Sequence, residues 1–237
     1  MSNKDDLIKP TKSIVFDKTR VFYDESNSIG LHEKAIRTLF DAFPGNKDLS
    51  EVLLKVTILD QYYSTRIPSL VKYAKAICEI DNLDERLADG DLSVVEEISV
   101  ALQNYNKKHP EENRVPKDAE NKCYLSFASK YCSHHDIKGD TFPIFDSIAS
   151  KLLCDYDAIK HSKKQTGFYD WNRSYQFRKN VSPREQHRLT QEKIRNIALY
   201  RDAVREFRKF YKLEGLTLKQ LDIFLWMYGQ ELAEQKK

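Results

Sequence analysis

The chain has 237 residues, 41% of them hydrophobic and 32% charged, with a formal net charge of +3. That balance excludes intrinsic disorder, and a chain of this length buries roughly 70–75% of the surface its unfolded form exposes, so it folds without staples. Seven glycines and seven prolines are too few for the turns of an all-β fold, no apolar run reaches the roughly 18–20 residues that span a bilayer, and the first residues lack the apolar stretch of a signal peptide. A soluble, cytoplasmic protein with no membrane partner is expected.

Residues 1–26 are polar and read as an N-terminal arm with one short extended piece at Ile14-Val15-Phe16. From there to residue 237 a 3.6-residue period dominates and predicts a single all-α domain of about eight helices, one globular unit of two packed lobes. Ile29, Ala35, Ile36, Leu39, Phe40 and Phe43 line the first helical face, which ends at Pro44-Gly45. Asp48 and Glu51 form a capping box ahead of Val52, Leu53, Val56, Leu59 and Tyr63. Pro68 opens the next helix, and residues 83–92 form a connector with one helical turn. Ser93 and Glu96 make a second capping box, followed by a polar loop over 104–117. A helix is predicted over 118–135, and Asp146 is a natural N-cap for one through Leu153. Ser182-Pro183-Arg184-Glu185 starts a long helix that Gly215 stops, and Thr217 and Gln220 cap the last one.

The four cysteines form no C-x-x-C pair, so reduced, buried thiols are expected, with no disulfide framework. The histidines have no ligand-spaced partners, so no metal site is expected, and no cofactor is implied. No P-loop, G-x-G-x-x-G turn or nucleophile motif is present, which argues against nucleotide-driven and Rossmann enzymes.

Chemistry points first to Asp146. It follows the apolar approach Phe142-Pro143-Ile144-Phe145 and heads a helix, where backbone donors favour its carboxylate form. On these residues, and on the helix pair over 53–77, the stretch 48–155 resembles the helical core of the helix-hairpin-helix base-excision DNA glycosylases. The resemblance implies Asp146 as the catalytic carboxylate, Gln61, Tyr62 and Tyr63 as lining the pocket for a flipped base, and Lys130 as the candidate for the lysine nucleophile of bifunctional members. The implied reaction is hydrolysis of a base–deoxyribose bond in DNA repair, through an oxocarbenium-like transition state that a fixed carboxylate stabilises. The family's glycine-rich hairpin has no counterpart, since no glycine lies between Gly90 and Gly139; its iron–sulfur cysteine cluster is absent as well.

The second pattern is a charge split. Residues 160–212 hold 15 Lys/Arg against 5 Asp/Glu, a balance of +10, which leaves the remainder at −7. Within this segment Lys163, Lys164, Arg173, Arg178 and Lys179 interleave with Trp171 and Tyr175. Cations neutralise phosphates and aromatic faces stack on unpaired bases, so the segment is expected to bind nucleic acid, DNA by preference. The long helix continues the theme through Arg201, Arg205 and Arg208, which share one face by their spacing. The leading expectation is a DNA-binding protein with glycosylase-like chemistry. The alternative is a non-enzymatic helical protein that binds nucleic acid or an acidic protein partner.

Overall fold

The computed structural model describes residues 7–112, 122–162, 169 and 196–235. Among them every regular element is helical: α1 (Lys12–Phe22), α2 (Ser28–Ala42), α3 (Leu49–Tyr63), α4 (Leu70–Cys78), α5 (Leu83–Ala88), α6 (Ser93–Ser99), α7 (Ala101–Lys108), a 3-10 turn (Pro110–Glu112), α8 (Leu125–His135), α9 (Ser147–Ser162), α10 (Ile197–Phe210) and α11 (Leu218–Glu234). The fold is all-α, and the described residues alone form eleven α-helices where about eight were expected. No helix among the described residues is long and apolar enough to cross a membrane.

The extra helices have physical reasons. Residues 12–22 were expected within a polar arm, yet they form α1, which buries only Val15 and Phe22. Two buried positions seven residues apart are too sparse to register as a period. A single helix from Ser93 breaks at Val100 into α6 and α7, and α7 runs on into the expected loop because Tyr105 and Asn106 are buried. Leu92, not Ser93, is the N-cap of α6 and has no side-chain cap bond, while Asp91 just before it accepts from the Ser93 backbone N–H at 2.9 Å and from its hydroxyl at 2.6 Å. The expected helix from 118 begins at Leu125. Cys123 therefore lies outside it and is exposed, and Cys78 is half-buried, whereas Cys132 and Cys154 are buried as expected. Thr217 and Gln220 form the complete capping box that was read, whereas Asp48 caps α3 through its own side chain, accepting from the Ser50 and Glu51 N–H groups, without the reciprocal Glu51 bond of a box. The helix start predicted at Ser182 lies outside the described residues. The helix that follows stops at Phe210, ahead of Gly215, and both Lys212 (φ 56°) and Gly215 (φ 92°) take positive φ in the turn after it.

The chain divides into two compact units, Tyr23–Ile144 and a second formed by Met1–Phe22 with Phe145–Lys237. In the first, α8 packs on α3 and α6, and α3 packs on α4. Val52, Val56, Leu59, Tyr73, Ile77, Val94, Ile98 and Phe127 form its core. Tyr73 is wholly buried and donates its hydroxyl proton to the Ile98 carbonyl at 2.6 Å, so the polar end of a core ring is satisfied. At the start of α2, Gly30 passes the chain at backbone contact distance; a Cβ there would lie 2.2 Å from the Asp24 carbonyl oxygen. Gly30→Ala is expected to cost about 2–3 kcal/mol, because backbone cannot swing aside as a side chain can. Thermal unfolding checks this, and an unchanged midpoint would contradict it.

In the second unit α11 packs on α1, α9 and α10. Phe22 meets Trp226 edge-on with ring centroids 6.0 Å apart, and Lys18 pairs with Glu231. Gly229 admits the Ile148 side chain, whose methyl would lie 2.5 Å from any Cβ at that position. Tyr156 bridges α9 to α10 against Phe207, 5.3 Å between centroids.

Candidate functional site

The unit boundary falls inside the apolar approach read from the sequence, between Ile144 and Phe145. Phe142, with 1% of its surface exposed, belongs to the first unit, where Asp136 accepts the Thr141 and Phe142 backbone N–H groups at 2.7 and 3.1 Å. Asp146 belongs to the second. Its Oδ1 accepts from the Ile148 and Ala149 N–H groups at 2.7 and 3.3 Å, the geometry of an N-cap on α9. The residue is half-buried. Phe145 packs edge-on against Tyr200 of α10 at 5.5 Å, and the Tyr200 hydroxyl donates to Asp222 at 2.9 Å. Burial, together with the charges of Asp222 and Asp146, pushes the Tyr200 phenol well above its ordinary value. It remains protonated at neutral pH and gives its proton to Asp222.

Lys130 and the tyrosine pair lie in the other unit, and the structure brings them together. Lys130 is 5% exposed; its Nζ donates to Ser126 Oγ at 2.7 Å and sits 5.0 Å from the Tyr63 ring centroid. An ammonium held by a hydroxyl and an aromatic face is a packed cation. Tyr63 donates its hydroxyl proton to Glu33 at 2.6 Å and lies 3.1 Å from His134 Nε2. Since the phenol has one proton and gives it to the carboxylate, the histidine Nε2 donates to the phenol oxygen. Tyr62 packs between His32 (4.8 Å) and Tyr63 (4.7 Å), while Gln61 is exposed. Burial and the Glu33 charge raise the Tyr62 and Tyr63 phenols well above their usual range and push Tyr23 up to about 12. These phenols stay protonated and are not nucleophiles. Beside them Ser64 (φ 50°) and Arg66 (φ 59°) hold left-handed backbone, with Asp60 Oδ1 bracing the turn through the Thr65 hydroxyl at 2.6 Å and the Ile67 N–H at 3.0 Å.

Glu33 escaped the sequence reading, although a signal exists. It sits three residues after Gly30 and three before Ile36, on the face that α2 buries. A carboxylate on an apolar stripe marks a polar partner below it.

The basic segment continues onto described structure at α10. Asn196 caps this helix, accepting from Ala198 and Leu199 N–H at 3.0 and 3.1 Å. Ile197, Tyr200, Ala203, Val204 and Phe207 turn inward. Arg208 donates to the Leu216 carbonyl at 3.0 Å, and Lys209 pairs with Glu206 at 2.6 Å. Arg201 and Arg205 stand one turn apart and differ from these. Arg201 Nε is buried without a hydrogen-bond acceptor, and an oxygen of neighbouring Asp202 lies 3.9 Å away. Burial and the Arg205 charge hold its guanidinium below the ordinary value. Lys163, Lys164, Trp171, Arg173, Tyr175, Arg178 and Lys179 lie outside the described residues. No group of three or more His, Cys, Asp or Glu side chains among the described residues could hold a metal ion.

No solved structure matches the chain. It is similar to an uncharacterized protein of Haemophilus influenzae, with 26% identity over 189 residues that make up 80% of this chain and 71% of that one. Residues 15–139, the span from α1 through α8, match the model of the HI_0787_N family, described as an N-terminal domain. That match takes in more than half of the 237 residues, and the chain belongs to this family.

Proposed function

We propose that the protein binds nucleic acid, DNA by preference, through residues 160–212. The observation that carries this reading is the charge segregation: a balance of +10 over those residues against −7 over all the others. Cations concentrated on one segment release condensed counterions when they meet a phosphate backbone, and that release supplies most of the affinity. Of the cations on α10, Arg208 and Lys209 are engaged within the protein, whereas Arg205 has no carboxylate partner among the described residues.

Cleavage of a base–deoxyribose bond at Asp146 is the narrower proposal. What supports it is the position of the carboxylate, half-buried at the head of α9 in the unit that also holds α10. Asp146→Asn separates chemistry from structure, because asparagine caps a helix as well as aspartate and removes only the charge. In fluorescence anisotropy with single-stranded, duplex and abasic-site DNA, the variant is expected to bind like the wild type. Any release of base by the wild type should vanish in the variant. Base release that survives Asp146→Asn would contradict the narrower proposal and leave binding untouched.

A further inference from the structure

We propose that Arg201 and Arg205 form a phosphate-binding pair, a site that takes one phosphate group of a nucleic-acid backbone. This inference rests on the nucleic-acid reading and gives it a specific contact. Residues one helical turn apart have Cβ atoms roughly 5–6 Å apart, so the two guanidiniums share one face of α10. Like charges at this spacing destabilise a helix, and the cost grows when one of them is taken out of water. The Arg201 side chain is only 23% exposed, and its Nε lacks an acceptor.

Among the described residues the carboxylates on α10 do not cancel the pair. Glu206 is taken by Lys209 at 2.6 Å. Asp202 has 52% of its side chain in solvent and stands 3.9 Å from Arg201 Nε, so the best it offers is one negative charge against two positive ones. Arg208, which could have spread the charge, is tied to the Leu216 carbonyl. A phosphate supplies what is missing, with negative charge and several acceptor oxygens that match the planar forks of two guanidiniums. Arginine suits this role better than lysine because its fork reads a phosphate through two parallel hydrogen bonds.

The test uses the full chain and three variants: Arg201→Gln/Arg205→Gln, Arg201→Lys/Arg205→Lys, and Arg205→Gln alone. Far-UV circular dichroism establishes that each is folded. Duplex binding across a salt series should show the double glutamine variant about tenfold weaker, with the slope of log affinity against log salt reduced by about 1. The double lysine variant should keep the slope and lose affinity, since charge stays and the fork goes. Without ligand, Arg205→Gln should melt at or above the wild-type temperature, because it relieves repulsion. An arginine needed only for packing would not behave in this way.

Inorganic phosphate supplies an arm independent of the polymer. It should raise the melting temperature of the wild type and leave the double glutamine variant unmoved. A double glutamine variant with unchanged salt slope and an unchanged phosphate response would overturn the pair while leaving DNA binding in place. A wild type that binds no duplex yet responds to phosphate through these two residues would make the pair a free-anion site and overturn the nucleic-acid assignment. A wild type that responds to neither overturns both.

Discussion

Asp84→Ala is expected to destabilise the unit formed by Tyr23–Ile144 by about 3 kcal/mol, although Asp84 itself is only half-buried. The reason lies with Lys55, a lysine with no exposed surface. Its Nζ donates to the Gly45 carbonyl at 2.7 Å and to Asn46 Oδ1 at 3.3 Å, and it faces the Phe40 ring at 5.2 Å. Asn46 is 1% exposed, and Asp84 fixes its orientation by accepting from its side-chain amide at 2.6 Å and its backbone N–H at 3.3 Å. Tyr131 donates its hydroxyl proton to the same Asn46 oxygen. Removing Asp84 takes away the charge that offsets Lys55 and frees the amide that holds it. Lys55→Met removes the buried charge itself and is expected to change stability by no more than about 1 kcal/mol. In the double variant the loss should be well below that of Asp84→Ala alone, which measures the coupling. Urea denaturation followed by circular dichroism provides all three values. A Lys55→Met variant as unstable as Asp84→Ala would show that the ammonium is needed for the fold.

The same region is expected to make the protein acid-sensitive above the pH at which carboxylates titrate. His135 lies between the rings of Phe40 and Tyr131, at 4.9 and 5.2 Å, with its Nε2 buried and without a partner. Burial, aided by the nearby Lys55 charge, lowers its pKa from 6.5 to about 3. The unfolded chain takes up a proton at about 6.5 while the folded chain does not, so stability is complete above that pH and falls progressively towards pH 3. The ceiling on this loss is about 4–5 kcal/mol, and partial relaxation of the site makes about 2–3 kcal/mol the expected size. His135→Phe keeps the ring packing and should flatten the decline between pH 6.5 and about 4. An acid limb identical to that of the wild type would contradict the assignment. At the alkaline end Lys55 has the matching sign. Burial lowers it from 10.5 to about 8, so the unfolded chain holds the proton longer and stability rises between those values. Lys55→Met should remove that rise.

These two residues also show how far a sequence discloses a fold. The helical class and Asp48 and Thr217 as caps were readable, because spacing and capping chemistry are local. Lys55 lies three residues after Val52 and four before Leu59, squarely on the stripe that α3 buries, but a periodicity read by residue type passes over a lysine. Its partners Asn46 and Asp84 are brought to it by other parts of the chain, and no local pattern announces that. The face of α2 was readable at Ile36 and Phe40, which are buried, but the pattern passed over Glu33, which is buried beside them, and included Ala35, which is exposed. Of the site residues, Tyr62, Tyr63 and Lys130 converge as a group, but around Glu33, which was not named. Asp146 lies in the other unit, and what it visibly does there is cap α9. The sequence spacing from Lys130 to Asp146 spans the boundary between the units, and no motif marks that boundary.

Salt dependence of duplex binding decides whether the segment 160–212 meets a phosphate backbone. Log affinity should fall linearly with log salt, with a slope corresponding to several neutralised phosphates, and single- and double-stranded DNA should both bind. An absence of binding to either at low salt, with the protein folded, would contradict that contact and leave the +10 segment as a surface that serves some other purpose.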